Sequence, residues 1–385
     1  MKVLHLCLAN FYIDNYSYQE NLLPKYHKQM GFNVEIIASL FTFDKTGKGC
    51  YLKKGGSYIN EYGIFVTRLE YKKTKYSKKL RLYEGTYDSI EKAKPDIIFI
   101  HGVQFLNIKN VVKYVRKNPN VKVYVDNHAD FSNSATNWIS KNILHKIIWR
   151  KCAKLIEPYT IKFYGVLPAR VDFLKNIYKI PEEKIELLVM GADDEKVIEA
   201  KKPEVTKKIR QRYNIKEDDF LIMTGGKIDN AKKQTLFLME AVKRIKNDKV
   251  KLIVFGSVIK ELRDKVNTLS DGKKVQYIGW VDANQTYNYF AAADLVVFPG
   301  RHSVFWEQVA GLGIPMIVKY WEGTTHIDLG GNCKFLYNDS VDEIYKNLVN
   351  LINNREELEN MRQIAESKGI KYFSYREISS RAIKI

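Results

Sequence analysis

The chain has 385 residues, 45% of them hydrophobic, so at about 150 residues per domain it holds two or three domains and can bury real cores. Disorder, a collagen-like repeat and a small disulfide-stapled fold are excluded. Lys and Arg number 63 against 44 Asp and Glu, a formal net charge of +19, which draws anions such as nucleotides, polyanions or acidic lipid headgroups without choosing among them.

The opening MKVLHLCLANFY carries one Lys and an apolar run that stops at Asn10, with no small-residue cleavage site after it; it reads as a buried first strand, not a signal peptide. No stretch approaches the ~18 apolar residues that cross a bilayer, so any membrane contact is expected to be peripheral. The loop after this strand brings Asn15, Tyr18 and Gln19, polar groups suited to sugar hydroxyls and equally to a capped helix start. Cys7, Cys50, Cys152 and Cys333 lie far apart with no CxxC pair, so no zinc site or disulfide framework is expected and a reducing cytoplasm is the expected compartment.

Strands are expected at NVEIIAS, DIIFIHG and KVYVDNH. Between the last two, Ile108, Val111, Val112 and Val115 recur at helical spacing and give one apolar stripe to lay on a sheet. The cluster Lys72, Lys73, Lys75, Lys78, Lys79 and Arg81, with Tyr71 and Tyr76, is either a solvated loop or a surface for anionic lipid. His128 closes KVYVDNH, and by itself a lone histidine at a strand end is a buried structural residue. A second block of strands follows at FLIMTGG, KLIVFGS, VQYIG, DLVVFPG and PMIVKY. The charged EAKKPEVTKKIRQRYNIKEDD, with Pro203 and no strand, separates the blocks and places the junction just before it. The boundaries expected are 1–192 and 193–369, with a C-terminal helix at about 370–385 that could cross back to the first domain. Alternating strands and helices without a fixed repeat predict an α/β chain of two Rossmann-like domains facing each other across a cleft, the place where ligands collect.

Two segments carry chemistry. In GGKIDNAKKQ, Gly225 and Gly226 let the chain bend sharply, and Lys227 and Lys232 can converge on a diphosphate near a helix start; the plain alternative is a solvated basic helix start. No P-loop and no GxGxxG accompanies it. In DLVVFPGRHSVFWEQVAGLGIP, Glu307 can accept hydroxyl hydrogen bonds from a ribose, and the Ser303 and Val304 amides can meet phosphate oxygens. Alternatively Glu307 only favours the helix dipole, worth ~0.3 to 1 kcal/mol.

These segments, with IGWVDANQTYNYFAAADLVVFPG between them, resemble the donor-binding half of retaining family 4 glycosyltransferases of GT-B fold. The resemblance covers most of the chain. It implies diphosphate contacts from Lys227, at the family's Arg position, Lys232, Gly226, Ser303 and Val304; a ribose contact from Glu307; base contacts from Trp280 and Val281; and His128 beside the donor sugar at the reacting centre. Asp130 and His302 are further sugar candidates, and Asn15, Tyr18 and Gln19 face the acceptor. LLVMGADDE is similar to the family's turn between domains. The chain departs from the family in two places: no glutamate lies seven residues before Glu307 or Gln308, and the first loop lacks the family's glycine pair.

The chemistry implied is metal-independent, retaining transfer of a hexose-type sugar from a nucleoside-diphosphate sugar to a glycan or lipid-linked acceptor, with no cofactor. The leaving phosphate takes the acceptor's proton, so no general base is named. Cell-surface polysaccharide or glycoconjugate assembly follows, in the cytoplasm or on the inner face of the plasma membrane. The competing readings are a catalytically inactive sugar-binding protein of the same fold, a nucleotide-sugar epimerase, whose signature acids are missing, and a basic nucleic-acid-binding protein. No helix-turn-helix, zinc or RNA-binding motif accompanies the charge, so no nucleic-acid partner is expected.

Overall fold

A computed structural model describes residues 1–44 and 48–384. The chain divides into two compact units, Met1–Val189 with Ile378–Ile385, and Met190–Glu377. The boundary thus falls three residues before the expected 192/193 position, and the chain re-enters the first unit within the helix Tyr375–Ala382.

The first unit is built on strands β1 (Lys2–Cys7), β2 (Asn33–Ser39), β3 (Phe41–Phe43), β4 (Gly49–Tyr51), β5 (Gly56–Ile59), β6 (Phe65–Leu69), β7 (Ile97–His101), β8 (Lys122–Asn127), β9 (Thr160–Gly165) and β10 (Ile185–Leu187). Eight of them form one sheet in the order β10-β9-β8-β7-β1-β2-β6-β5, while β3 and β4 make a separate ribbon. All pairs in the large sheet are parallel except β5 with β6. Helices cover both faces, so central strands read as unbroken apolar runs, as IIFI of β7 does, every residue of it buried. The helix Ile108–Lys117 buries Ile108, Val111, Val112 and Val115, the stripe expected from their spacing.

The second unit has β11 (Phe220–Gly225), β12 (Val250–Phe255), β13 (Val275–Tyr277), β14 (Leu295–Phe298), β15 (Met316–Lys319) and β16 (Cys333–Leu336) in one parallel sheet ordered β13-β12-β11-β14-β15-β16. The charged stretch expected to separate the blocks is helical: it continues Asp194–Ala200 into Pro203–Arg212, with Val197, Ala200 and Ile209 buried, so it belongs to the second unit. A helix needs only one apolar stripe, and sparse Val and Ile among lysines supply it.

Strand order fixes where ligands can sit. In each sheet the chain starts in the middle, winds outward one way, then returns to the middle and winds out the other way. The direction reverses between β1 and β7 in the first sheet and between β11 and β14 in the second. Loops leaving the carboxyl ends of those two strands part there and leave a crevice.

Candidate functional site

In the second unit the crevice lies between the loops after β11 and β14. Gly226, at φ +119°, turns the chain out of β11. The Lys232 side chain folds back over it, so that a Cβ placed on Gly226 would stand 3.6 Å from Lys232 Nζ. A Cβ on Gly300, after β14, would lie 3.1 Å from Lys232 Cα. Glycines on both strand ends thus admit this lysine. Burial lowers the pKa of Lys232, Asp229 works against that, and Arg301 adds to it. Two cations are therefore held close together, a costly arrangement that an anion between them relieves. Lys227 is different: its side chain is 61% exposed and its Nζ lies 3.6 Å from Asp229. Of the two expected diphosphate lysines, Lys232 is the one the fold builds in. Arg301 is a cation the sequence reading missed, for no local pattern says that the loops after β11 and β14 are neighbours.

The helix Phe305–Gly311 follows, with Ser303 and Val304 at its amino end. Glu307 on this helix is 0% exposed, and its Oε1 accepts from His302 Nε2 at 2.8 Å and His326 Nε2 at 2.9 Å. Burial alone would raise its pKa; the two imidazoles outweigh that and hold it well below the usual carboxylate range. Its Oε1 is taken up by the two histidine rings, which it braces, while its Oε2 has no hydrogen-bond partner. His302, expected to touch the donor sugar, has its Nε2 committed to Glu307 and its ring edge-on to Trp306. Four buried polar atoms here have no hydrogen-bond partner, namely Glu307 Oε2, Gln308 Oε1, His326 Nδ1 and Trp306 Nε1. Trp280, 68% exposed, and Val281 follow β13, beyond β12 from β11.

In the first unit the matching loops follow β1, β7 and β8. His128, just past β8, keeps 19% of its side chain exposed, with Nε2 3.3 Å from Asp126 Oδ2 and 3.8 Å from Glu20 Oε1. The 3.3 Å approach is an ion-pair distance whose angle falls short of a hydrogen bond. Burial would favour the neutral ring, but Asp126 and Glu20 prevail against it and against Arg170, so the His128 pKa is raised. Gln19, expected to face an acceptor, is buried instead and donates its Nε2 to Asp126 Oδ2 at 3.2 Å. It begins the helix Gln19–Gln29, which carries it inward. Tyr18 caps that helix without a side-chain hydrogen bond and stacks on Tyr16. Asn15 is exposed at φ +63°, its amide donating to Glu61.

Asp130 accepts from Arg170 Nε at 3.1 Å on Oδ2 and from the Ser132 and Asn133 amides on Oδ1, contacts that close its own loop. Buried polar atoms without partners gather here too, including Asn10 Nδ2, Gln19 Oε1 and Asp126 Oδ1. All four cysteines are free thiols.

Two groups could be asked whether they suit a metal: Glu20 with His101 and His128, and His302 with Glu307 and His326, each with ligand atoms within 4.8 Å. In the first, both His101 nitrogens are already bonded, to His5 and Asp126. In the second, both histidines spend Nε2 on one carboxylate oxygen.

Residues 219–354 match the sequence pattern of the family described as Glycosyl transferases group 1. Among solved structures, a glycosyltransferase from Rickettsia africae superposes with TM-score 0.68 at 15% identity, over 99% of this chain and 96% of that one. Anabaena HepE, solved in complex with UDP, gives 0.66 at 16% identity over 99% and 98%. The fold is GT-B. A UDP-GlcNAc 2-epimerase from Neisseria meningitidis, bound to UDP-GlcNAc, shares it with TM-score 0.62 at 13% identity over 99% and 98%. No curated protein matches the chain in sequence. Within the GT-B frame, the group 1 match covers the sheet that carries Gly226, Lys232, Arg301 and Glu307.

Proposed function

We propose that this chain is a glycosyltransferase that moves a hexose-type sugar from a nucleoside-diphosphate sugar to a glycan or lipid-linked acceptor. One observation carries the reading: buried polar atoms without partners concentrate at the carboxyl ends of both GT-B sheets, where a native fold leaves such atoms unmet only for a ligand or ordered water to satisfy. In the second unit Lys232 and Arg301, with the Ser303 and Val304 amides, take the diphosphate, and Trp280 with Val281 takes the base. Lys227 lies further out and steers the anion. Glu307 acts through His302 and His326.

His128 is the catalytic residue of the first unit. With its Nε2 turned to Asp126, its other nitrogen is left to meet the donor sugar near the anomeric carbon, where charge develops. As the glycosidic bond breaks, negative charge grows on the leaving diphosphate; Lys232 and Arg301 stabilise it without a metal ion. That phosphate takes the acceptor's proton, and the sugar keeps its anomeric configuration. The solved neighbours bound to UDP and UDP-GlcNAc make UDP the first nucleotide to try.

Screening UDP, GDP, ADP and dTDP by thermal shift tests the donor half, because a ligand of the native state alone raises the melting temperature. No shift with any of them refutes the proposal. Incubation with the matching nucleotide sugar then separates transfer, which frees nucleoside diphosphate, from epimerisation, which does not. Binding without either turnover would identify a sugar-nucleotide-binding protein, a reading favoured by the missing first glutamate of the pair.

The acceptor half is proposed to work at an anionic membrane face. Among the described residues no helix is long and apolar enough to span a bilayer. The π-helical segment Ser140–Trp149, continued by the helix Arg150–Ile156, exposes Ile143 and Ile147, and Trp138 and Ile139 are exposed just before it. Between Asp130 and Glu157 the chain has no acid, yet it has Lys141, Lys146, Arg150, Lys151 and Lys154. Apolar side chains among cations suit an interface of anionic lipid, in the cytoplasm. The lysines at 72–79 are exposed as well, but Arg81 leaves that cluster, its guanidinium donating to the Gln104 carbonyl at 2.7 Å.

A further inference from the structure

The buried interior behind His128 holds a row of imidazoles that the proposed reaction does not use directly. His27 Nε2 lies 3.0 Å from the Ser379 carbonyl, and His27 Nδ1 lies 3.0 Å from His5 Nε2. His5 Nδ1 lies 3.0 Å from His101 Nε2, and His101 Nδ1 lies 2.8 Å from Asp126 Oδ2. His5, His27, His101 and Asp126 are all fully buried.

Proton counting constrains this row. The carbonyl at one end can only accept, and so can an ionised carboxylate at the other. The four links in the row each require one proton. Three neutral imidazoles carry only three. The row therefore holds one proton more than neutral rings supply, and that proton is on a ring or on Asp126. Asp126 Oδ2 lies 2.8 Å from His101 Nδ1, accepts from Gln19 at 3.2 Å, and lies 3.3 Å from His128 Nε2 at ion-pair distance. An O–H on that oxygen would point into a donor, whereas an ionised oxygen accepts from His101 and Gln19 and attracts His128.

We propose that the extra proton resides on His101, forming a buried imidazolium–carboxylate pair with Asp126, and that this pair makes Asp126 and His101 positioning residues for His128. Asp126 stays charged in the interior because His101 is charged, and a charged Asp126 keeps the His128 proton on Nε2. The titration tendencies agree. Burial raises Asp126, but His101 and His128 overcome it and bring it below the usual range. Burial, with His27 and His101 nearby, pushes His5 down. Burial lowers His27 to about 4 despite the Ser379 carbonyl. Of the three rings, His101 is the one bonded to the carboxylate, so a second proton there is balanced by direct contact. The other groups facing this pair are Glu20 from the helix Gln19–Gln29, Arg170 from the helix Pro168–Asn176 and the Cys7 thiol at the end of β1.

The inference rests on the glycosyltransferase reading only where His128 meets the sugar; the proton count does not depend on it. The test is 15N NMR of the full chain with labelled histidine at pH 7, which distinguishes the two neutral tautomers and the imidazolium. His27 and His5 are expected as neutral rings protonated on Nε2, and His101 as doubly protonated. A neutral His101, or a His5 protonated on Nδ1, overturns the proposal.

His5→Phe removes the acceptor for His101, so His101 should lose its extra proton, leave Asp126 uncompensated and shift the His128 pKa upward. Asp126→Asn should shift it downward, and should move the pH profile of kcat with KM little changed. His27→Gln preserves the count, because its amide can donate to Ser379 while its oxygen accepts from His5, and it should leave His101 doubly protonated. An unmoved His128 pKa in folded His5→Phe also overturns the proposal; if that variant does not fold, the wild-type spectrum and His27→Gln decide. Full transfer by His128→Ala would refute the catalytic role of His128 and leave the NMR result standing.

Discussion

Replacing Lys232 with alanine removes the ammonium that folds over Gly226 between the loops after β11 and β14. That side chain is half-buried; burial and the like charge of Arg301 lower its pKa against the pull of Asp229, so a bound anion relieves what Asp229 leaves of that cost. A lost charge-assisted hydrogen bond is worth roughly 1.5 to 3 kcal/mol, which corresponds to about 10- to 150-fold weaker binding of the nucleoside diphosphate. Lys227→Ala should behave otherwise. Its ammonium is largely exposed, already near Asp229 and screened by solvent, so the loss should stay below about 1 kcal/mol, roughly fivefold. Isothermal titration at fixed ionic strength measures both, using the nucleotide that stabilises the wild type. Equal losses in the two variants would refute the argument from burial. No loss in Lys232→Ala would mean that the turn after β11 is only a basic helix start.

Gly256→Ala should destabilise the second unit by at least ~2 kcal/mol, since a Cβ there would stand 1.9 Å from the Gly226 carbonyl oxygen at φ +128°; denaturant titration within ~0.5 kcal/mol of wild type would contradict this. Acid should weaken the first unit early. His27 titrates near 4 in the fold against an ordinary 6.5, so the unfolded chain binds the proton more readily, and stability present above 6.5 is lost as pH falls from there to about 4. At ~1.4 kcal/mol per pH unit that loss reaches up to ~3 kcal/mol, and His27→Gln should flatten the corresponding slope in urea midpoints measured from pH 7 to 4. Ile143→Ser with Ile147→Ser should abolish flotation with anionic vesicles while sparing nucleotide affinity; wild-type flotation on neutral vesicles, or none on either, would refute the membrane proposal.

Much of the fold could be read from local sequence. Central strands such as FLIMTG and IIFIH are bounded apolar runs, and the stripe Ile108, Val111, Val112 and Val115 defines its helix, because burial on both faces or on one stripe leaves a periodic trace. The strand next to the sheet edge left less of a trace. FVTRL of β6 carries Arg68, which is buried only because it donates to the Tyr12 and Ser39 carbonyls and pairs with Asp14. The glycine-lysine turn after β11 was legible too, since a bend and a cation are local properties.

The tertiary structure alone decided which of those groups act together. His5, His101 and Asp126 lie on β1, β7 and β8, far apart in the chain, and are joined because those strands are consecutive in the sheet, with His101 in register with Asp126. That Glu307 Oε1 is bonded by two histidines depends on His302 before the helix and His326 after β15 meeting at one oxygen. Strand order and register set such meetings, and they arise from packing whole elements against each other, which no window of neighbouring residues encodes.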